Sequence, residues 1–229
     1  MIHFTEGMEK QNMVDMLSSP AFKDIKPDLK QTEDPHMFWD TMFAEPIDVS
    51  TITEDELAAE IYGRTPDEFS FDFPFDDEVT KALTRFDSDE WAELTVKERL
   101  SAIESFVEIL GARMGLENKP VVTFFDGPEN ELGAYIQGKD RIEINRSLVD
   151  NPDALVNTVA HEMRHAYQYE RAQSPETWMD VLYAVNFENY ISPIQDKNGY
   201  YINFEDYQDQ LVEAEARAFA KMFTNKEAE

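Results

Sequence analysis

The chain has 229 residues, of which 48 are acidic and 20 are basic, so its formal net charge is −28 at pH 7. Such a chain repels the phosphates of nucleic acids and the anionic surface of membranes, so neither is expected as a partner. Its 42% hydrophobic residues can form a core, and no apolar run approaches the roughly 20 residues that span a bilayer. The absence of cysteine excludes disulfides, cysteine-based zinc sites and thiol nucleophiles.

The first residues contain no basic stretch followed by an apolar one, so no secretory signal is predicted. A cytoplasmic location is therefore expected, with export without a cleavable signal as the alternative. Residues 1–90 hold 7 basic and 23 acidic side chains, a net charge of −16, and show little periodicity. We expect this acidic region to drape over residues 91–229, which form the main domain, and to restrict its cleft. The sequence carries no signal for an oligomeric state.

Phenylalanine occupies every second position from Phe69 to Phe75. This alternation predicts an extended strand with one apolar face, and Pro74 confines it to a sheet edge or to an unpaired extension. One interpretation is an arm packed across the main domain. The other is a segment that lies in or near a binding cleft and regulates it.

The main domain begins with a clear helix. Thr95 and Glu98 form a capping box, apolar residues from Val96 to Met114 recur at helical spacing, and Gly115 is typical of a helix end. Three strands are predicted next, over residues 121–125, 132–137 and 141–145. The turn at residues 138–140 joins the last two strands as a hairpin, so a small, mainly antiparallel sheet is expected.

Three helices are predicted after the sheet. Asn151 is a suitable N-cap and Pro152 a suitable first residue for a helix that runs to about Glu170. Ser174-Pro175 begins the next helix in the same way, and a final helix is expected over residues 204–223. The order of a helix, a small sheet and then helices indicates the α+β class, with an irregular acidic region at the N-terminus.

The first of these three helices contains His161-Glu162-Met163-Arg164-His165. Histidines four residues apart lie on one helix face, separated by about 6 Å along the axis, so both imidazoles can reach one tetrahedral zinc ion. Glu162 follows the first histidine, where a carboxylate can take a proton from zinc-bound water without itself binding the metal. The sequence therefore predicts a zinc site with Glu162 as its base.

The surroundings of this motif strengthen the prediction, because HExxH alone also occurs by chance. The motif lies in the middle of a well-capped helix, and the preceding residues 155–160 are uncharged, as a buried site requires. Arg164 stands at a position that is usually uncharged, and we expect its side chain to point outwards.

The third ligand must come from elsewhere in the chain. His3 and His36 are the only other histidines and precede the motif, so no downstream histidine is available. A carboxylate is the remaining common ligand. Glu213 and Glu215 of the final helix stand among small and apolar residues, which is unusual for a solvated face, and alanines around them allow close approach of another helix. Both glutamates are candidates.

This combination resembles the gluzincin metallopeptidases, in particular the small cytoplasmic kinds. The resemblance covers residues 120–223 and is carried by the HExxH motif and by a later helix of pattern Glu-x-x-Ala-x-x-Phe-Ala. It implies a zincin-like domain over residues 91–229 that hydrolyses peptide bonds in a peptide or protein substrate, with Zn²⁺ as cofactor. It also implies His161, His165 and Glu213 as zinc ligands and Glu162 as catalytic base.

The chain departs from this pattern at Arg217, where many relatives carry Asp or Asn that supports a ligand. Glu215 is the candidate for that supporting role and the alternative to Glu213 as ligand.

A peptidase also needs a donor that stabilises the developing oxyanion besides zinc. The candidates share a phenolic hydroxyl downstream of the motif: Tyr190, Tyr200, Tyr201 and Tyr207. Tyr207 is favoured because it lies on the predicted ligand helix, six residues before Glu213.

Two other functions compete with a peptidase. One is a relative that binds metal but has lost catalysis. The other is an acidic binding or inhibitor protein that acts as a decoy of nucleic acid, which the charge of −28 suggests. A decoy needs ordered surface carboxylates, whereas a peptidase needs a buried cluster of histidine and glutamate.

Overall fold

The computed structural model describes residues 13–18, 22, 25 and 47–224. The α+β class is confirmed. Within these residues no helix has both the length and the apolar character that a membrane crossing requires. The helices are α1 (Met13–Leu17), α2 (Glu54–Ile61), α3 (Asp77–Thr84), α4 (Ser88–Glu93), α5 (Val96–Met114), α6 (Pro152–Gln173), α7 (Trp178–Glu188), α8 (Phe204–Gln208) and α9 (Leu211–Lys221). The strands are β1 (Val121–Phe125), β2 (Gly133–Ile136) and β3 (Arg141–Asn145).

Contacts group the described chain into two compact units. One comprises residues 69–167 and 216–224, and therefore contains the sheet, α3 to α5 and the first four turns of α6. The other comprises the described residues up to 68 together with residues 168–215. The draping of residues 1–90 over the remainder, and its effect on a cleft, stay predictions. His3 and His36 lie outside the described residues.

The sheet has three strands in the order β1-β3-β2 and is mixed. The predicted hairpin is present, since β2 and β3 pair antiparallel, with Gly138 at φ 66° and Asp140 at φ 43° in the turn. β1, however, pairs in parallel with β3, with Val121 opposite Arg141. Alternation of apolar residues predicts that β1 is a strand, but it does not specify the direction of its partner.

The side chain of Asn145 fixes the connection from β1 to β2. Its amide nitrogen donates to the carbonyls of Pro128 and Glu131 at 2.9 and 2.8 Å, and its amide oxygen accepts from the backbone of Ser147 at 3.0 Å. Asn145 is itself 2% exposed, so its buried amide needs these partners in place of water. Asn145 thereby holds the loop that lets β1 end beside β3.

Helix α5 has the predicted ends. The side chains of Thr95 and Glu98 each accept from the other's backbone N–H, and Gly115 terminates the helix at φ 74°. Its buried residues are Ala102, Ile103, Phe106, Val107, Leu110 and Gly111. The prediction that the apolar face begins at Val96 is wrong, because Val96 and Leu100 are exposed.

Residues 69–75, which we call the aromatic arm, pack against α9 and the turn after it. The predicted strand does not form, since no residue from 69 to 76 belongs to a strand. The ring of Phe71 lies 5.3 Å from that of Phe219, and the ring of Phe73 lies 5.3 Å from that of Phe223, both edge to face. Such aromatic pairs contribute about 0.5–1.5 kcal/mol beyond the area that they bury. The segment is therefore an extended arm packed on the main domain.

Helix α6 runs close over β2. It begins as predicted, with the Asn151 side chain accepting from the N–H of Ala154 at 3.2 Å. A Cβ atom at Gly133 would lie 2.7 Å from the Thr158 methyl group and 3.1 Å from the Glu143 carbonyl oxygen. Only glycine fits this approach, and it brings the helix turn after Thr158, which carries Glu162, beside the strand.

The predicted final helix is interrupted. Its residues form α8 and α9, with Asp209 and Gln210 between them. The Asp209 carbonyl accepts from the N–H of Arg64, and Gln210 makes an isolated β-bridge with Tyr62. These residues leave the helix because their backbone pairs with a segment far away in the sequence, which local periodicity does not reveal. α7 also starts later than predicted, with Thr177 and Asp180 as its capping box.

A hairpin-like loop separates α7 from α8. Gln195 bridges Tyr201, and Gly199 turns the chain at φ 84°. The Asn203 side chain closes its neck, donating to the Ser192 carbonyl at 2.9 Å and accepting from the Ile194 N–H at 2.7 Å. The loop is therefore held at its base by one asparagine.

The close approach of α6 to β2 makes a stability prediction. Replacing Gly133 with alanine is expected to lower the free energy of unfolding by about 1–3 kcal/mol, because the new methyl group overlaps Thr158. Thr158→Ser removes the methyl group that is struck first, so the double variant should lose less than the sum of the single variants. Urea unfolding of the four proteins measures this. An unchanged stability of Gly133→Ala, or strict additivity, would contradict the proposed contact.

Candidate metal centre

The two motif histidines face each other on α6. Their Nε2 atoms are 3.0 Å apart, and their ring planes are nearly perpendicular, at 87°. His165 is fully buried and His161 is half-buried. The spacing of four residues thus has the predicted effect, because it brings two imidazole nitrogens together on one helix face.

Glu213 lies in the first turn of α9 and is almost fully buried, with 1% of its surface exposed. The Tyr190 hydroxyl donates to its Oε1 at 2.5 Å, and the Tyr207 hydroxyl donates to its Oε2 at 3.0 Å. Burial and then the neighbouring charge of Glu213 raise the pKa of the Tyr190 hydroxyl well above its ordinary value. Tyr190 therefore keeps its proton and remains a donor to the carboxylate.

The start of α9 is fixed by two buried amide side chains. The Asn186 side-chain oxygen accepts from the N–H of Val212 at 3.0 Å and so caps the helix, while its amide nitrogen donates to Gln210 at 3.1 Å. Gln210 also donates to the carbonyl oxygens of Ile191 and Tyr207, each at 2.9 Å. These bonds satisfy backbone groups that the interruption before α9 would otherwise leave without partners, and they place Glu213.

One potential metal-binding group is formed within the described part of the chain, by His161, His165 and Glu213. A nitrogen from each histidine and a carboxylate oxygen lie within 4.8 Å of one another. Tetrahedral zinc has bonds of about 2.0–2.2 Å, which keeps its ligand atoms roughly 3.3–3.6 Å apart. The two imidazole nitrogens, at 3.0 Å, are slightly closer than this, and the three atoms as a group lie within 4.8 Å. Two histidines with one glutamate are a ligand set of catalytic zinc, so the chemistry of these donors suits zinc.

The second candidate ligand, Glu215, has different partners. Its Oε2 accepts from the Gln168 amide at 2.5 Å, and its Oε1 accepts from the Tyr183 hydroxyl at 2.7 Å. Gln168 also donates to the Val212 carbonyl at 3.0 Å. Glu215 thus links α9 to α6 and α7, and its role in supporting a ligand stays a prediction. The sequence contains a signal for the involvement of Gln168, because Gln168 follows His165 by three residues and therefore lies on the same helix face.

Glu162 is buried beside the sheet. Its Oε2 accepts from the backbone N–H of Tyr135 at 2.7 Å, and only 2% of the residue is exposed. Tyr135 belongs to β2, which is an edge strand of the three-stranded sheet. The contact fixes one carboxylate oxygen of the residue that follows His161 in the motif. A bond to the backbone leaves no trace in the sequence, so this partner could not be predicted.

The prediction that Arg164 points outwards is wrong. Arg164 is buried, and its guanidinium carbon lies 4.3 Å from the centre of the Tyr167 ring, 4.9 Å from Phe71 and 5.5 Å from Phe219. A guanidinium over aromatic faces is attracted by their negative π surfaces, which offsets part of the cost of its burial. Arg164 therefore connects the motif helix to the aromatic arm.

The tyrosines predicted as oxyanion donors fall into two groups. Tyr190 and Tyr207 donate to Glu213, so they contact a candidate ligand. Tyr200 is exposed, and Tyr201 stacks on Phe204 with ring centres 5.1 Å apart. The role of Tyr207 as an oxyanion donor stays a prediction, and its observed contact is with the carboxylate.

The different partners of the two glutamates make a testable distinction. Glu213→Gln is expected to weaken zinc binding about 100-fold or more, because a neutral amide oxygen is a much poorer ligand than a carboxylate. Glu215→Gln should change zinc affinity by less than about 10-fold, since this residue acts through hydrogen bonds. Competition with a chelator of known zinc affinity measures both. Loss of binding in Glu215→Gln with retention in Glu213→Gln would contradict the assignment.

Comparisons with protein-family models, with curated proteins and with solved structures found no match to this chain. The interpretation of the metal centre therefore depends on its own geometry.

Proposed function

We propose that the chain is a zinc-dependent hydrolase of peptide bonds. The observation that supports this proposal most is the grouping of His161, His165 and Glu213 within 4.8 Å, with the buried Glu162 carboxylate directly after the first histidine. Three protein ligands leave a fourth tetrahedral position for water or substrate, which distinguishes catalytic zinc sites from structural ones. The half-buried state of His161 is consistent with access from one side.

A bound zinc ion supplies Lewis-acid polarisation of a carbonyl oxygen and lowers the pKa of water to about 7. Glu162 accepts a proton from the attacking water and passes it to the leaving amine. The bond from the Tyr135 N–H to Glu162 Oε2 ties this carboxylate to β2 and limits its movement. His161 and His165 would each bind the ion through one ring nitrogen.

The sheet supports a peptide as the substrate class. β2 is an edge strand, and its Tyr135 touches the proposed base. Extended peptides bind proteins by lying along sheet edges, where backbone groups align the scissile bond. A chain of charge −28 also attracts cationic segments, so substrates with lysine or arginine near the scissile bond should associate faster at low salt.

The decisive variant is Glu162→Gln, which keeps the size of the side chain but cannot accept the proton. The full chain, expressed with zinc, should contain one zinc per chain and cleave a fluorescence-quenched library of random peptides. Glu162→Gln should keep its zinc and lose activity by about 10²–10⁴-fold. Elemental analysis and the cleavage rate are the two measurements.

Glu170→Gln is the matched control, because it makes the same change two turns further along α6 and should keep both zinc and activity. His161→Ala should lose the zinc. A well-folded, zinc-free wild type would contradict the proposal and favour the acidic decoy. A zinc-loaded wild type that cleaves no peptide of the library would favour the inactive relative.

A further inference from the structure

We propose that Tyr190 and Tyr207 are positioning residues that hold the Glu213 carboxylate ready for the metal, so that zinc affinity depends on their two hydroxyl groups. This inference rests on the proposed metal site and adds to it the residues that orient its carboxylate ligand. Neither tyrosine is placed among the ligands themselves.

The contact of Tyr190 carries most of the argument. The residue is 8% exposed, and its hydroxyl reaches Glu213 Oε1 at 2.5 Å, which is at the short end of the range for a hydrogen bond to a carboxylate. A carboxylate that is 1% exposed loses its hydration, so its charge must be stabilised by fixed donors. Tyr190 lies two residues after the end of α7, and the side chain of Asn189 between them donates to the Val185 carbonyl at 2.9 Å. This bond fixes the backbone that carries Tyr190, and with it the starting point of the Tyr190 side chain.

Tyr207 approaches the other oxygen from a different element. It lies in α8, and its hydroxyl donates to Glu213 Oε2 at 3.0 Å. The two tyrosine rings lie 6.2 Å apart at an angle of 77°, so each limits the movement of the other. With one donor on each oxygen, the carboxylate plane has a single favoured orientation. A ligand oriented in advance loses less entropy when the metal binds.

Tyr183 provides a matched control within the same set of helices. Its buried hydroxyl donates to a glutamate of α9 at 2.7 Å, as Tyr190 does, but that glutamate is Glu215. Tyr183→Phe therefore removes a comparable buried hydrogen bond without releasing the candidate ligand. Both substitutions should lower the stability of the metal-free protein to a similar degree.

The test compares zinc affinity and cobalt spectra for the full chain and its Tyr→Phe variants. Tyr190→Phe and Tyr207→Phe are each expected to weaken zinc binding about 10–100-fold, the usual cost of losing a partner of a ligand. Tyr183→Phe should stay within about 3-fold of the wild type. The visible absorption of bound Co²⁺ reports ligand geometry, and it should change in Tyr190→Phe and remain in Tyr183→Phe.

Thermal unfolding of the metal-free proteins shows which variants fold. If Tyr190→Phe does not fold, Tyr207→Phe is compared with Tyr183→Phe in its place, because Tyr207 is only half-buried. Equal zinc affinity in the wild type and in the folded Tyr190 or Tyr207 variants would overturn the positioning role while leaving the metal site intact. An equal loss of zinc affinity in Tyr183→Phe would show that the effect is general destabilisation, and this would also overturn the positioning role. A wild type that binds no zinc would overturn the proposed function together with this inference.

Discussion

The burial of the Glu213 carboxylate is the constraint on which the candidate site depends. An ionised carboxylate inside a protein costs several kcal/mol unless donors replace the water that it loses. Here the hydroxyl groups of Tyr190 and Tyr207 donate to the carboxylate in place of water. Tyr190 lies just after α7 and Tyr207 lies in α8, so two separate parts of the chain supply these donors. The amide side chain of Asn186 caps the start of α9 and so fixes the helix turn that carries Glu213.

The features that could be predicted from the sequence are those that local interactions decide. The capping box and terminal glycine of α5, the start of α6 at Pro152 and the hairpin of β2 and β3 all involve residues a few positions apart. The facing of His161 and His165 belongs to the same class, because it follows from helix geometry alone. Resemblance added Glu213, which the histidine spacing by itself could not distinguish from Glu215.

The features that escaped prediction depend on partners distant in the sequence. The parallel direction of β1 depends on its partner strand β3. The end of α8 depends on the pairing of Gln210 with Tyr62. The sequence predicts Arg164 as a surface residue because no local pattern reveals the aromatic arm that covers it. The burial of its charge among aromatic rings shows that the arm and the motif helix are parts of one packed cluster.

The neck formed by Asn203 has a consequence for engineering. It ties Asn203 to Ser192 and Ile194, so the ends of the loop stay together whatever lies between them. The tip at Asn198-Gly199 is exposed and lies beyond this closure. Lengthening a loop whose ends are already fixed costs little entropy, and exposed tips accept insertions best. A short tag or a fluorescent label can therefore be inserted at this tip while Tyr190 and Tyr207 keep their places on either side.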